Sequence, residues 1–222
     1  MKVELIDVMG SDLTVVNAAR VSFDKHKEIM DMSDEKLIDY LLTNEHFSPF
    51  THPQLQFRIK IPIFVARQWF KHTVGFTRNE MSRRYVSTSP EFYVPNTWRS
   101  KAENKKQGSS ECEITTMPCT CGIAGCSVRL SISEEYEASM VEWRLLYNRL
   151  TSAGVCPEQA RMVLPQSTYT EFYETASLWA YLRLVSLRDT DYAQKEIREV
   201  ALLVKSILQE KFPITMRIYG EN

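Results

Sequence analysis

Hydrophobic positions follow two rhythms in different parts of the chain. Between Gln54 and Ile61, Leu55, Phe57, Ile59 and Ile61 take turns with Gln54, Gln56, Arg58 and Lys60. That alternation has a period of two without an error, so the stretch reads as a strand with one face on a core. Residues 2–8 read as a shorter strand, and 168–174, rich in Tyr, Thr and Phe, as a further extended segment. Other stretches carry helical spacing. Val15 to Val21 looks helical, and Ser33, followed by Asp34 and Glu35, reads as the N-cap of a helix running to about Asn44. That helix turns Leu37, Ile38, Leu41 and Leu42 inward. Pro62 suits the first position of a helix from Ile63 to about Lys71.

Ser133 reads as the cap of a long helix ending at Gly154, with Tyr136, Met140, Trp143, Tyr147 and Leu150 on one face. This aromatic stripe suits a core or a subunit interface. Pro157 starts a short helix through Val163, and two helices, about Ser177–Leu187 and Asp191–Glu210, close the chain. The second is expected to bury Ala193, Ile197, Val200, Val204 and Leu208. Residues 96–127 break the pattern: a polar run from Lys101 to Glu111 leads into a cysteine cluster, which reads as an insertion or long loop. There is no internal repeat. The expected fold is α+β, one domain over residues 1–222, with a mixed or antiparallel sheet flanked by helices and a largely helical C-terminal half.

Composition narrows the function. Of 222 residues, 44% are apolar and 25% charged, the balance of an ordinary folded protein. Twenty-seven Lys and Arg against 28 Asp and Glu give a net charge of −1, which disfavours wholesale nucleic-acid binding and leaves room only for a local basic patch. No run approaches the roughly 18 apolar residues of a membrane span. The N-terminus carries Glu4 and Asp7 and no apolar stretch, so no signal peptide is expected. Five cysteines, an odd count without a secretion signal, argue against a disulfide framework and for a cytoplasmic protein.

The densest chemistry lies in residues 67–85, where Arg67, Lys71, Arg78, Arg83 and Arg84 accompany His72 and the single acid Glu80. Arg83 and Arg84, beside the hydroxyls of Ser82 and Tyr85, are the residue types a phosphate needs. The alternative is a solvated basic face beside a core helix. Cys112, Cys119, Cys121 and Cys126 offer four thiolates to a structural zinc, although their spacing is irregular. His46 and His52, flanking Ser48, read as structural histidines, and Cys156 as a buried small apolar residue. Pro118-Cys119 has no surroundings to support a nucleophile.

Several of these pieces occur in one order. Phe64-Val65-Ala66-Arg67-Gln68-Trp69-Phe70, then Asn79-Glu80-x-Ser82-x-Arg84-Tyr85, resembles the signature of the flavin-dependent thymidylate synthases. The resemblance continues in His46-x-Ser48-Pro49-Phe50-x-His52, Ala160-Arg161-x-Val163-Leu164-Pro165, Tyr169-Thr170, Leu187-Arg188 and Ala193-Gln194-x-Glu196-Ile197-Arg198. It covers most of the chain outside residues 96–132.

The resemblance implies a homotetramer that methylates dUMP at uracil C5 without a cysteine nucleophile. Methylenetetrahydrofolate would supply the carbon, reduced FAD the hydride and NADPH the reducing equivalents. No membrane or nucleic-acid partner is implied. By the same resemblance Arg188 would promote ionisation of the uracil ring, as the catalytic residue. Gln68, Trp69, Lys71, Glu80, Met81, Ser82, Arg83, Arg84 and Arg161 would bind dUMP, with Ser82 and Arg84 near the phosphate. Ser48, Lys71, His72, Thr73, Glu80 and Arg183 would face FAD.

The chain also departs from the family pattern. An Arg-His-Arg triplet reads Lys71-His72-Thr73, and the stretch from Lys71 to Ser82 is longer by one residue, with Arg78 a candidate to replace the lost charge. An Asn-Ala-Arg reads Ser177-Leu178-Trp179, an Asn reads Arg183 and a His reads Tyr192. Two rivals remain: a nucleic-acid- or other nucleotide-binding protein with a zinc loop, and a flavoenzyme acting on another pyrimidine nucleotide.

Overall fold

In the computed structural model, which describes residues 1–86, 88–103, 108–119 and 126–221, the error-free alternation folds as a strand with one buried face. Strand β1 (Lys2–Met9) pairs antiparallel with β2 (Gln54–Pro62), with a bulge between Leu5 and Asp7. Leu55, Phe57, Ile59 and Ile61 of β2 are fully buried. The residues group into two units: Met1–Lys60, Gln68–Glu80 and the chain from Glu171 form one, and Ile61–Arg67 with Met81–Thr170 form the other.

The first unit carries a four-stranded sheet in the order β1-β2-β8-β3, with β3 at Phe76–Glu80 and β8 at Tyr169–Ser177. β3 and β8 are antiparallel, and Arg78 stands opposite Glu174. β8 runs past the expected Glu174 to Ser177, whose hydroxyl caps the helix that follows. The sequence does not announce β3, because Phe-Thr-Arg-Asn-Glu lacks a clean alternation; pairing with β8 settles its conformation.

Helices of this unit pack on one another. They are α1 (Asp12–Arg20), α2 (Met32–Thr43), α6 (Leu178–Arg188), α7 (Lys195–Lys211) and α8 (Pro213–Glu221). The cap of α2 is Asp31 rather than Ser33: the Asp31 carboxylate accepts from the Ser33 N–H at 2.7 Å and the helix starts earlier than expected. Asp34, in the first turn, is fully buried and is neutralised by Arg20 at 2.5 Å and Lys27 at 2.8 Å. α7 starts at Lys195, not Asp191, because the preceding residues form a turn, with Ala193 N–H donating to Thr190 O. Ala193 is accordingly only half-buried, while Ile197, Val200, Val204 and Leu208 are fully buried as their spacing requires. α8 is unannounced by its short sequence. Asp12, at the start of α1, accepts from the N–H groups of Ile214 and Thr215 and from the Thr215 hydroxyl, and so satisfies the free amides of the last helix.

The second unit holds two small hairpins, β4 (Arg99–Lys101) with β5 (Ser109–Glu113) and β6 (Thr116–Pro118) with β7 (Arg129–Ser131). Residues 96–127 therefore contain strands as well as loop. The long helix α4 (Ile132–Ser152) is capped by Ser131, which accepts from the Glu134 N–H, rather than by Ser133. Met140 and Tyr147 are its buried positions, and Tyr136 packs between Trp98 and Trp143. α5 (Pro157–Ala160) passes into a 3-10 turn, Arg161–Val163. Helix α3 (Ile63–Trp69) ends before the expected Lys71. Among the described residues no helix is long and apolar enough to cross a membrane.

Candidate active site

After α3 the chain leaves its last helical residue, Trp69, fully buried and turns through 70–75 into β3. Gly75 makes the turn possible: its φ is +81°, and a Cβ there would lie 3.4 Å from the Ala180 methyl on α6. This loop and α6 enclose a cleft of about 320 Å³ within the first unit. Lys71, His72, Thr73, Val74 and Phe76 line one side, and Ala180, Arg183, Leu187 and Arg188 the other. Among the described residues, three permanent cations and no carboxylate line it, beside apolar groups. A ligand with an anionic group and a flat, less polar part matches that wall chemistry.

His72 and Arg188 are coupled. Arg188 Nε donates to His72 Nε2 at 2.9 Å, so Nε2 is the acceptor and the neutral ring carries its proton on Nδ1. Burial, and then the charges of Arg188, Arg78 and Arg183, hold the His72 pKa down at about 4. Burial also lowers the pKa of Arg188. In the unfolded chain His72 titrates near 6.5, so from there down to about 4 the unfolded form binds a proton that the folded form refuses. Stability is therefore expected to fall as pH drops through this window. Denaturant midpoints measured between pH 7 and pH 4 should show the decline, and His72→Gln should flatten it; an unchanged slope would contradict the assignment.

Arg78 does not replace the missing triplet charge, because it is absent from the cleft wall. It is spent inside the fold: Nε donates to the Glu174 carboxylate and Nη1 to the His72 carbonyl at 2.6 Å. Glu174 is fully buried and takes the Trp69 indole N–H on both oxygens, at 3.0 and 3.1 Å. Burial raises its pKa, against the lowering pull of Arg78 and Trp69, and raises that of the adjacent Tyr181 further. The sequence reading missed Glu174. The available signal is its phase in β8, where it shares the inward face with Thr170, Phe172 and Ala176.

The remaining candidates divide between the units. In the first, the Gln68 amide donates to Gln194, which donates in turn to Glu196 at 2.8 Å. Ser48 is exposed at the start of a 3-10 turn, and Trp179 stacks on Phe47 at 5.5 Å. Glu80 ends β3 in an exposed position. Trp69 presents no side-chain surface to a nucleotide, since burial and Glu174 claim it. In the second unit, Arg84 lies over the Tyr85 ring and donates to Ser82 Oγ at 3.3 Å. Arg83 donates to Thr88 O at 2.7 Å, Met81 is half-buried, and exposed Arg161 donates to Glu158 O at 3.3 Å.

His46 and His52 are both exposed, with His46 edge-on to Tyr40. Cys156 is exposed, not buried, because it is the extended cap ahead of Pro157. Cys119 and Cys126 bring their sulfurs to 3.0 Å, Cys112 is exposed, and Cys121 lies outside the described residues. Among the described residues no group of three or more His, Cys, Asp or Glu is arranged to hold a metal.

Residues 4–214 match the family model described as thymidylate synthase complementing protein. The chain belongs to the flavin-dependent thymidylate synthase family. The flavin-dependent thymidylate synthase of Thermosipho africanus is 36% identical over 215 residues, covering 97% of this chain and 89% of that one. Its Thermus thermophilus counterpart is 37% identical over 220 residues, 99% of this chain and 76% of the other. Among solved structures, the UMP/dUMP methylase PolB from Streptomyces cacaoi bound with 5-Br UMP superposes with a TM-score of 0.79 at 28% identity, covering 99% of this chain and 93% of that one. The same enzyme bound with 5-Br dUMP gives 0.78 at 30% identity. Membership of a flavin-dependent thymidylate synthase family makes the chain an enzyme of methyl transfer rather than a binding module.

Proposed function

We propose that the chain converts dUMP to dTMP, with methylenetetrahydrofolate as carbon donor, FAD as cofactor and NADPH as reductant. The observation that carries this is the cleft in which, among the described residues, the Arg188–His72 pair and two further cations stand without a carboxylate, in a chain of this family. Those donors fit a phosphate or pyrophosphate group, so the cofactor suits the residues present. FAD, when bound and reduced, supplies hydride. Because the reductant is external, the folate leaves as tetrahydrofolate, and one NADPH is oxidised for each methyl group formed.

The chain's own residues divide the work as follows. Arg188 holds a positive charge against the uracil ring and favours its ionised form, which makes C5 the nucleophile without a thiolate. Gln68, Lys71, Glu80, Met81, Ser82, Arg83, Arg84 and Arg161 bind the nucleotide, while Trp69 holds the fold of its stretch. Ser48, Lys71, His72, Thr73, Glu80 and Arg183 receive the flavin, with Arg183 supplying charge that Thr73 lacks. Residues 1–222 act as one catalytic domain within a homotetramer in the cytoplasm. A structural zinc at Cys112, Cys119, Cys121 and Cys126 is supported by the proximity of Cys119 and Cys126 but not by the described cysteines as a group, which do not gather three ligands; metal analysis of the purified protein tests it.

The decisive assay follows product from dUMP with each co-substrate omitted in turn. Formation of dTMP that needs all of them supports the reading, and none with the complete mixture contradicts it. PolB, named as acting on both UMP and dUMP, favours one second reading, in which UMP is the nucleotide methylated; running both nucleotides decides. Arg84→Ala is expected to weaken dUMP binding by about 1.5–3 kcal/mol, as for a charged hydrogen bond. Calorimetric titration checks this, and an unchanged constant would move the phosphate elsewhere.

A further inference from the structure

We propose that Arg78 and Glu174 are positioning residues for Arg188, acting through His72. The inference rests on the role given to Arg188 above, and its starting point is the buried network behind the cleft. Arg78 and Glu174 face each other across the β3–β8 ladder. The guanidinium lies over Phe76 at 4.6 Å and Phe70 at 5.3 Å, and both Glu174 oxygens are engaged by Trp69. The fork of the guanidinium then does two things at once: Nε is fixed by Glu174, and Nη1 reaches the His72 carbonyl at 2.6 Å.

That contact ties down the peptide of the residue whose ring takes the Arg188 Nε–H at 2.9 Å. His72 is thus held from behind through its backbone and from the front through its imidazole. Arg188 commits Nε to the ring, which leaves its Nη groups available to a ligand in the cleft that Arg188 lines. Among the described residues, the charges that act on the ring are those of Arg188 and Arg183 on α6 and Arg78 on β3, all positive. They keep it a neutral acceptor, which the bond to Arg188 requires. A lysine at position 78 keeps the charge beside Glu174, but its single nitrogen cannot span to the His72 carbonyl as a planar fork does.

The test uses the full-length, flavin-loaded enzyme carrying Arg78→Lys. The expected result is a melting temperature close to that of the unmodified protein, a dUMP dissociation constant within about twofold, and kcat lower by at least about tenfold. The acid limb of the kcat profile should also shift, because His72 is no longer fixed. A folded variant with unchanged kcat, or with its loss confined to KM, overturns the proposal. Nitrogen NMR of the unmodified protein gives a readout independent of turnover and of whether the variant folds. His72 should be neutral at pH 7 with its proton on Nδ1; a ring protonated on Nε2 overturns the proposal. If the enzyme proves inactive on dUMP, the reaction assignment fails, while the tautomer still decides whether His72 accepts from Arg188.

Discussion

Arg188→Ala is expected to lower turnover by about a hundred- to a thousandfold while leaving the dUMP dissociation constant within a few-fold of the original. The asymmetry follows from where the charge acts. Arg188 lines the cleft from the last turn of α6 and is held by His72 rather than by a carboxylate, so its charge is not neutralised by an acid in the wall. A cation of that kind stabilises charge developing on a ring more than it anchors a ground-state phosphate. Single-turnover kinetics beside an equilibrium titration separate the two effects. Equal loss of binding and turnover would assign Arg188 to nucleotide binding instead. Arg188→Lys should recover little, since a point charge on a flexible stem cannot reproduce the hydrogen bond from Nε.

The largest effect on stability is expected from Glu174→Ala, about 3–5 kcal/mol. Burial raises the Glu174 pKa, so the ion pair gives the fold little net gain by itself. The loss on mutation arises because Arg78, whose side chain is 13% exposed, keeps its charge without its partner, and because the Trp69 indole N–H loses both acceptors. Denaturant unfolding measures it, and a loss below about 1 kcal/mol would contradict the account. The paired change Glu174→Leu with Arg78→Met should recover much of the stability, since no stranded charge remains, but not the turnover. That split distinguishes a pair retained to position His72 from one retained to hold the fold.

The period-two strand and the buried face of α7 were legible in the sequence because each has one side facing apolar neighbours and one facing water, and burial copies that pattern onto the residues. Boundaries were less legible. Asp31 and Ser131 cap these helices in place of the expected Ser33 and Ser133, since whichever oxygen meets the free N–H groups decides. Strand β3 and helix α8 depend on partners distant in sequence, β8 and Asp12, so local pattern could not show them. In the cleft, Lys71, His72, Thr73, Arg183 and Arg188 were legible as chemistry through the order of motifs, whereas Val74 was not. That they line one wall system follows only from the packing of α6 on the 70–75 loop. Arg78 shows the converse: a cation in a basic run reads as a ligand contact until the buried acid across the ladder is seen. Glu174 was silent because one acid among Tyr and Thr looks like an exposed strand position.

The most direct test of the account is the visible absorption spectrum of the purified protein, taken with added FAD and then with dUMP. The account predicts a bound flavin whose spectrum shifts when dUMP is added, because cofactor and nucleotide are proposed to share one site. Absence of flavin binding at saturating FAD would contradict it, and would mean that the departures at Thr73, Trp179 and Tyr192 have cost the pocket the cofactor on which the proposed chemistry depends.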